Sequence, residues 1–185
     1  MNNSSFSIFF SFLALTMYST SYFFKRKSTF LVFQGFGGLF LVFSYFFIAR
    51  FFAMISLFIG LARTFSFYYY EKNDKRVPVW LVILICVAIF TNYFTVNLLI
   101  YRRFNILDIF LVVSFCMYAI VFSIRNLMLV RYLVIVPHVL TILYNLLTAA
   151  PIFTAISYFI ELVISIVSIC YFKILDKKAK EVTIV

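Results

Sequence analysis

Residues 77–100 read VPVWLVILICVAIFTNYFTVNLLI, a run of 24 residues without a charged side chain. A transmembrane helix needs about 20 consecutive apolar residues, because a rise of 1.5 Å per residue must cross a hydrocarbon core of roughly 30 Å. This run therefore predicts one membrane-spanning helix. The whole chain has the same character, since 65% of its 185 residues are hydrophobic and 12% are charged. Soluble domains have about 25% charged residues, so this composition excludes a water-soluble fold.

Six further apolar runs flank this one, separated by charged residues or helix breakers. Together they predict an all-α, polytopic membrane protein with seven transmembrane helices, near residues 6–24, 30–49, 51–70, 77–100, 104–124, 127–149 and 151–172. Only Arg50 separates the second and third runs, and only residues 149–151 separate the last two. Both connections predict tight helical hairpins. The runs do not alternate polar and apolar residues, as the strands of a membrane barrel do.

Basic residues at the ends of the runs predict the orientation, because Lys and Arg accumulate in cytoplasmic loops. Membrane orientation therefore explains the net charge of +10, and no nucleic-acid partner is expected. With the N-terminus outside, the inner side holds Lys25, Arg26, Lys27, Lys72, Lys75, Arg76, Arg125, Arg131, Lys173, Lys177, Lys178 and Lys180. The outer side then holds only Arg50, Arg102 and Arg103. We therefore expect an outer N-terminus and a cytoplasmic C-terminus.

The first three spans and the last three spans show an internal repeat. Shifting residues 51–72 by 101 positions aligns eight identical pairs among 22, including Ser56 with Ser157, and sets Gly60 against Glu161. Two parallel triple-helix bundles, 6–76 and 104–175, are therefore expected, joined by a linker helix at 77–103 and followed by a cytoplasmic tail at 176–185. They form a single transmembrane domain.

A shift of 100 positions aligns Met17-Tyr18 with Met117-Tyr118. The same shift sets Gly37 and Gly38 of the second span against Pro137 and His138 of the sixth. Glycine and proline loosen helices, so Gly37, Gly38 and Pro137 are hinge candidates. Corresponding breakers in two halves of a transporter point to a central binding site.

Two stretches carry a resemblance to a known family: Ile59–Lys72, which reads IGLARTFSFYYYEK, and Leu143–Ser157, which reads LYNLLTAAPIFTAIS. Over about Lys25 to Lys173 the chain resembles the YgjV-like family of bacterial inner-membrane proteins, which implies a bacterial cytoplasmic membrane. The three-one-three plan is similar to the SWEET and PnuC transporters. The Pro-Gln dipeptide of the PQ-loop relatives and the tryptophan-rich pattern of PnuC are absent. Transport is thus implied by architecture alone.

Three ionisable residues lie deep inside predicted spans: Arg63 in the third, His138 in the sixth and Glu161 in the seventh. A charged side chain there costs about 2.5–3.5 kcal/mol on insertion scales, so each one requires a reason. Arg63 and Glu161 lie at similar depths, which predicts either a structural ion pair between the bundles or a site for substrate or proton coupling. His138 is either a proton-sensitive group or a hydrogen-bonded packing residue.

Four neutral polar residues, Gln34, Ser56, Asn145 and Ser157, are expected to form hydrogen bonds between helices or to line a cavity. We found no motif for a hydrolase, a nucleotide site, a cofactor or a metal centre, so enzyme chemistry is not expected. The leading hypothesis is a small-solute transporter or facilitator with a polar site at mid-membrane. The alternative is a non-transporting scaffold or accessory subunit. The expected partners are the lipid bilayer, a small polar solute, and either a second copy or a membrane partner.

Overall fold

Helices form every regular element of the described chain. The computed structural model describes residues 3–102, 105–148 and 152–183. The helices are α1 (Asn3–Ser21), α2 (Lys27–Phe47), α3 (Phe51–Lys72), α4 (Val79–Thr95) with its π-helical continuation Val96–Tyr101, α5 (Asp108–Ser123), α6 (Leu127–Leu133), α7 (Ile135–Leu147) and α8 (Ile152–Thr183). The all-α prediction is confirmed, and the predicted spans agree within a few residues, except that α8 runs past residue 172. The boundaries at 104, 149 and 151, the hairpin at 149–151 and Arg103 lie outside the described residues.

Within the described residues, five helical segments are long and apolar enough to cross a membrane. They are Lys27–Phe47, Phe51–Lys72, Val79–Tyr101, Leu127–Leu147 and Ala155–Leu175. The α5 helix is also apolar but has only 16 residues. The α1 helix has 19 residues, of which eight are Ser or Thr. By length and composition, the chain is therefore built as a multi-pass membrane protein.

The contacts between helices close a ring. In order around it, α1 packs on α2, α2 on α3, α3 on α5, α5 on α7, α7 on α8, and α8 returns to α1. The α4 helix lies outside the ring against α3 and α5, and 28% of its span is buried, compared with 56% for α2. Six helices therefore direct side chains toward a shared centre. The division into two triple-helix bundles and a linker stays a prediction.

The sixth span has a local weak point near Pro137. Proline has no N–H group, and its ring clashes with the carbonyl group four residues earlier, which here belongs to Leu133. The α6 helix ends at Leu133, and α7 begins at Ile135. Val134 between them keeps helical torsion angles, its N–H donates to the Val130 carbonyl at 2.9 Å, and its carbonyl accepts from the His138 N–H at 3.2 Å. The span therefore follows one helical path that lacks a backbone hydrogen bond at Pro137.

Gly37 and Gly38 do not interrupt α2, and their role as hinges stays a prediction. The helix is continuous from Lys27 to Phe47. A Cβ atom on Gly37 would lie 2.6 Å from the ring of Tyr18 on α1, and one on Gly38 would lie 3.2 Å from the side chain of Leu61 on α3. These glycines therefore allow neighbouring helices to approach α2 closely.

Candidate functional site

A cavity lies near the centre of the ring, lined by side chains of α1, α2, α3, α5 and α8. It offers about 40 Å³ to the centres of water molecules, which is room for about three waters. Its polar lining includes Tyr18, Gln34, Arg63, Tyr118, Tyr158 and Glu161. The structure thus brings Arg63 and Glu161 to one cavity, as the sequence suggested, without bringing them into contact.

Arg63 faces this cavity without a carboxylate partner. Its side chain is 8% exposed, and its Nε atom has no hydrogen-bond acceptor among the described residues. The guanidinium carbon lies 4.9 Å from the centre of the Phe122 ring and 5.9 Å from that of Tyr118. Contacts with aromatic faces contribute about 2 kcal/mol when desolvated, which is less than the penalty for burying a cation. No acceptor among the described residues therefore offsets the burial of this cation.

Glu161 contacts His138, which corrects the expected pairing of Glu161 with Arg63. The Oε1 atom of Glu161 lies 3.0 Å from Nε2 of His138, although the two groups are not aligned as a hydrogen bond. The hydroxyl of Tyr22 donates to the same carboxylate oxygen at 3.4 Å. Glu161 and His138 are both buried. The rings of Tyr22, Tyr118 and Tyr158 surround the imidazole, so an aromatic cage holds the pair.

The His138–Glu161 pair has the geometry of a site for one proton. The Nδ1 atom of His138 lies 2.6 Å from the carbonyl oxygen of Val134, and a carbonyl only accepts, so Nδ1 carries a hydrogen. A second proton can then reside either on Nε2, giving an imidazolium, or on the Glu161 carboxyl group 3.0 Å away. Both arrangements hold one proton with no net charge. Loss of that proton leaves an imidazole lone pair facing a carboxylate and a net charge of −1.

The other predicted polar residues mostly connect helices. Asn145 accepts a hydrogen bond from the Tyr45 hydroxyl at 3.3 Å, which links α7 to α2. Ser56 accepts one from the side-chain amide of Asn92 at 2.8 Å, which links α3 to α4. Gln34 both lines the central cavity and donates to Ser21 at 2.9 Å. Ser157 lines a smaller neighbouring cavity of about 10 Å³, together with Tyr158 and Glu161. Hydrogen bonding between helices therefore accounts for Asn145 and Ser56.

The tyrosines of the site were missed because a tyrosine in an apolar span resembles ordinary aromatic bulk. The repeat contained a signal for them. Its alignment pairs Tyr18 with Tyr118, Leu57 with Tyr158, and Gly60 with Glu161, and all six residues line the central cavity. Six of the thirteen residues that line the cavity are therefore related in pairs by this alignment.

A second cavity, of about 370 Å³, lies at the end of the bundle that contains the turn between α2 and α3. Arg50 and Asp108 both line it. Asp108 is 3% exposed and accepts a hydrogen bond from the Asn105 amide at 3.3 Å, while Arg50 donates to the Thr148 carbonyl at 3.0 Å. The sequence did not single out Asp108, because it lies near the boundary of the predicted span 104–124.

Comparisons with family models, curated proteins and solved structures find no match to this chain. The YgjV-like resemblance therefore stays a prediction. The function of the chain is therefore inferred from the geometry of the central cavity.

Proposed function

We propose that this chain is a membrane transporter or facilitator that carries a small polar solute through the centre of the helix ring. The observation that carries the proposal is the buried Arg63 cation, which faces a cavity without an acceptor among the described residues. Arg131 provides a partial contrast. Its Nε atom also has no acceptor, but its Nη2 atom donates to the carbonyls of Tyr22 and Phe24 at 3.2 and 2.8 Å. Arg63 has no such hydrogen bond among the described residues, which supports a role in binding a solute.

The weak point at Pro137 supplies a bending point for this proposal. A proline inside a helix removes one backbone hydrogen bond, and sharp kinks occur at such positions. His138 follows Pro137 directly on α7 and contacts Glu161 on α8. A tilt of α7 relative to α6 would therefore change the distance between His138 and Glu161. Bending of the sixth span would in this way act on the His138–Glu161 pair.

The membrane setting of the proposal is a bacterial cytoplasmic membrane, with the N-terminus outside, the C-terminus inside and a YgjV-like family membership. In this orientation the cavity beside Arg50 and Asp108 opens toward the outer side. The basic residues Lys25, Arg26 and Lys27 lie at the other end, on the cytoplasmic side. The repeat-related lining of the central cavity supports two parallel triplets around one transport path.

The test is solute uptake into liposomes that contain the purified protein. We expect uptake of a small polar solute from a labelled panel, and we expect Arg63→Ala or Glu161→Gln to abolish net uptake while the protein stays monodisperse and folded. Arg125→Gln is the matched control, because Arg125 is 46% exposed and pairs with Asp74 at the surface. It should transport like the unmodified protein.

The scaffold alternative predicts a different result. Uptake would be absent for the whole panel, the variants at Arg63 and Glu161 would only lower the melting temperature, and a membrane partner would co-purify in mild detergent at fixed stoichiometry. This combination of results would refute the transporter proposal.

A further inference from the structure

The charges around the central cavity identify a class of solute. Arg63 supplies one positive charge, and the nearby His138–Glu161 pair is neutral with its proton and carries −1 without it. We propose that the solute is a small planar oxoanion, such as a short carboxylate or nitrate, which binds Arg63 and crosses the membrane together with one proton on the His138–Glu161 pair. This inference rests on the transporter function proposed above.

The shape of the free donors favours a planar oxoanion. A guanidinium presents a flat fork of N–H groups that matches two oxygens of a carboxylate or of nitrate. The guanidinium carbon of Arg63 lies 4.9 Å from the Phe122 ring centre and 5.9 Å from that of Tyr118. Gln34, Tyr18 and Tyr118 line the same cavity as further polar residues. The cavity has room for about three waters, which suits an anion of a few heavy atoms.

Other ionisable groups near the pair do not change this count of charges. Six further side chains interact electrostatically with Glu161, with Arg63 or with each other. They are Tyr18, Tyr22, Tyr45, Tyr118, Tyr158 and Cys86. Tyrosine and cysteine side chains are uncharged at neutral pH. Arg131 of α6 neighbours Tyr22, and its Nη2 atom donates to the backbone carbonyls of Tyr22 and Phe24. Arg63 and the His138–Glu161 pair therefore set the charge of the cavity.

Two states of the site are electrically neutral. In the empty state without a proton, the Arg63 cation balances the Glu161 carboxylate. In the loaded state, the bound anion balances Arg63, and the proton neutralises the His138–Glu161 pair. The two mixed states, with anion alone or proton alone, carry a net charge of −1 or +1. Net charge is costly inside a membrane protein, so anion and proton bind together and leave together.

This balance predicts electroneutral symport of one anion with one proton. The proton enters with the anion from one side and is released with it on the other. Because one pH unit corresponds to a tenfold ratio in an equilibrium constant, a gradient of about one unit, alkaline inside, should drive up to tenfold accumulation. A membrane potential should not change the accumulation, because the loaded site carries no net charge.

The experiment measures uptake of radiolabelled glycolate and of nitrate into liposomes, with neutral glycolamide as the matched uncharged solute and empty liposomes as the background. We expect accumulation of an anion in response to the pH gradient, and no response to a potassium diffusion potential set with valinomycin. The relative saturation of glycolate and nitrate distinguishes an organic carboxylate from an inorganic oxoanion. Glycolamide should stay at background.

Two variants separate the roles of the charges. Arg63→Gln should reduce uptake and exchange of the anion at least tenfold, because the anion loses its counterion. Glu161→Gln should lose net accumulation but keep exchange of internal for external anion, because only its loaded state is neutral. Arg125→Gln is the control for both. A monodisperse elution profile and a cooperative melt show that each variant is folded.

The outcomes that overturn the inference differ from those that overturn transport. Uptake of glycolamide that matches glycolate and survives Arg63→Gln would refute the anion site and leave the transporter function intact. Accumulation driven by the potential would refute proton coupling. A third outcome is that no flux is measured, but glycolate or nitrate raises the melting temperature of the unmodified protein and not that of Arg63→Gln. This result would support the anion site and refute transport. No increase with either anion refutes the site as well.

Discussion

Substitution of Gly37 by alanine tests how α1 is held against α2. The added Cβ atom would lie 2.6 Å from two ring carbons of Tyr18 and 3.0 Å from a third. Carbon atoms pack best at about 3.5–4.0 Å, so the Tyr18 ring must retreat by about 1 Å. That ring lines the central cavity, and its hydroxyl would lie 3.5 Å from a Cβ atom on the adjacent Gly38. The substitution therefore disturbs both the helix contact and the cavity wall.

Two opposing terms set the size of the effect. Overpacking of a filled interior costs about 1–3 kcal/mol, whereas replacing glycine by alanine inside a helix contributes about 0.5–1 kcal/mol of stabilisation. We expect a net destabilisation of about 1–2 kcal/mol for Gly37→Ala. A difference of 1 kcal/mol corresponds to about 2–4 °C in melting temperature for a chain of this size. The expected decrease is therefore about 2–8 °C.

Two other glycines serve as matched controls. A Cβ atom on Gly60 would have Arg63 Nη2 at 3.9 Å as its nearest neighbour, and one on Gly35 would have the Phe65 ring at 3.4 Å. Both Gly60→Ala and Gly35→Ala gain the same helix term without a severe clash. The assay is thermal unfolding in one detergent, monitored by scanning fluorimetry with a thiol-reactive dye and by light scattering.

The expected order of melting temperatures is Gly60→Ala highest, Gly35→Ala next and Gly37→Ala lowest. If Gly37→Ala melts at the same temperature as Gly35→Ala, or above it, the close approach of Tyr18 to α2 does not limit stability, and the packing argument is wrong. Replacement of Tyr18 by leucine in the Gly37→Ala background should restore part of the loss, because the clash is removed.

Three further predictions concern polar contacts and the helix that contains Pro137. Asn92→Ala removes hydrogen bonds to Ser56 and to the backbone of α3, and should destabilise α4 packing by about 0.6–1.7 kcal/mol in a detergent melt. Glu71→Gln removes the carboxylate charge that lies 3.1 Å from the buried Lys27 ammonium and should lower the free energy of unfolding by about 1–3 kcal/mol. Asp74→Asn breaks a surface pair and should lower it by less than about 1 kcal/mol in the same melt. Pro137→Ala restores the hydrogen bond to the Leu133 carbonyl. Uptake should then decrease at least tenfold, and the melting temperature should not fall. Unchanged uptake would show that the missing hydrogen bond is not needed for transport.

Much of the fold could be predicted because the information is local in the chain. Apolar runs of membrane length predicted the helices within a few residues at most boundaries, since each run must satisfy its own backbone hydrogen bonds inside a bilayer. Pro137 likewise predicted where the sixth span is weakened, because its missing N–H group acts on its own helix. The role of Gly37 could not be decided by the same kind of reasoning. A glycine either loosens its own helix or admits a neighbour, and only the position of Tyr18 distinguishes the two.

The pairing of charges could not be predicted from depth along the chain. Arg63 and Glu161 lie at similar depths in their spans and line the same cavity, yet Glu161 contacts His138, and Arg63 lies against Phe122. Depth restricts a residue to a level in the bundle but says nothing about its rotation around the helix axis. That rotation is set by the packing of neighbouring helices.

The sequence by itself determined that this protein is a helical membrane protein. It also identified the few ionisable residues whose burial must be explained. Hydrophobicity and the cost of burying charge are properties of residue types, so they can be recognised without coordinates. The tertiary structure decided which of those residues meet, by closing six helices into a ring around one cavity. An unpaired Arg63 beside a His138–Glu161 proton site is a product of that closure, because contacts between distant segments depend on helix rotation and packing.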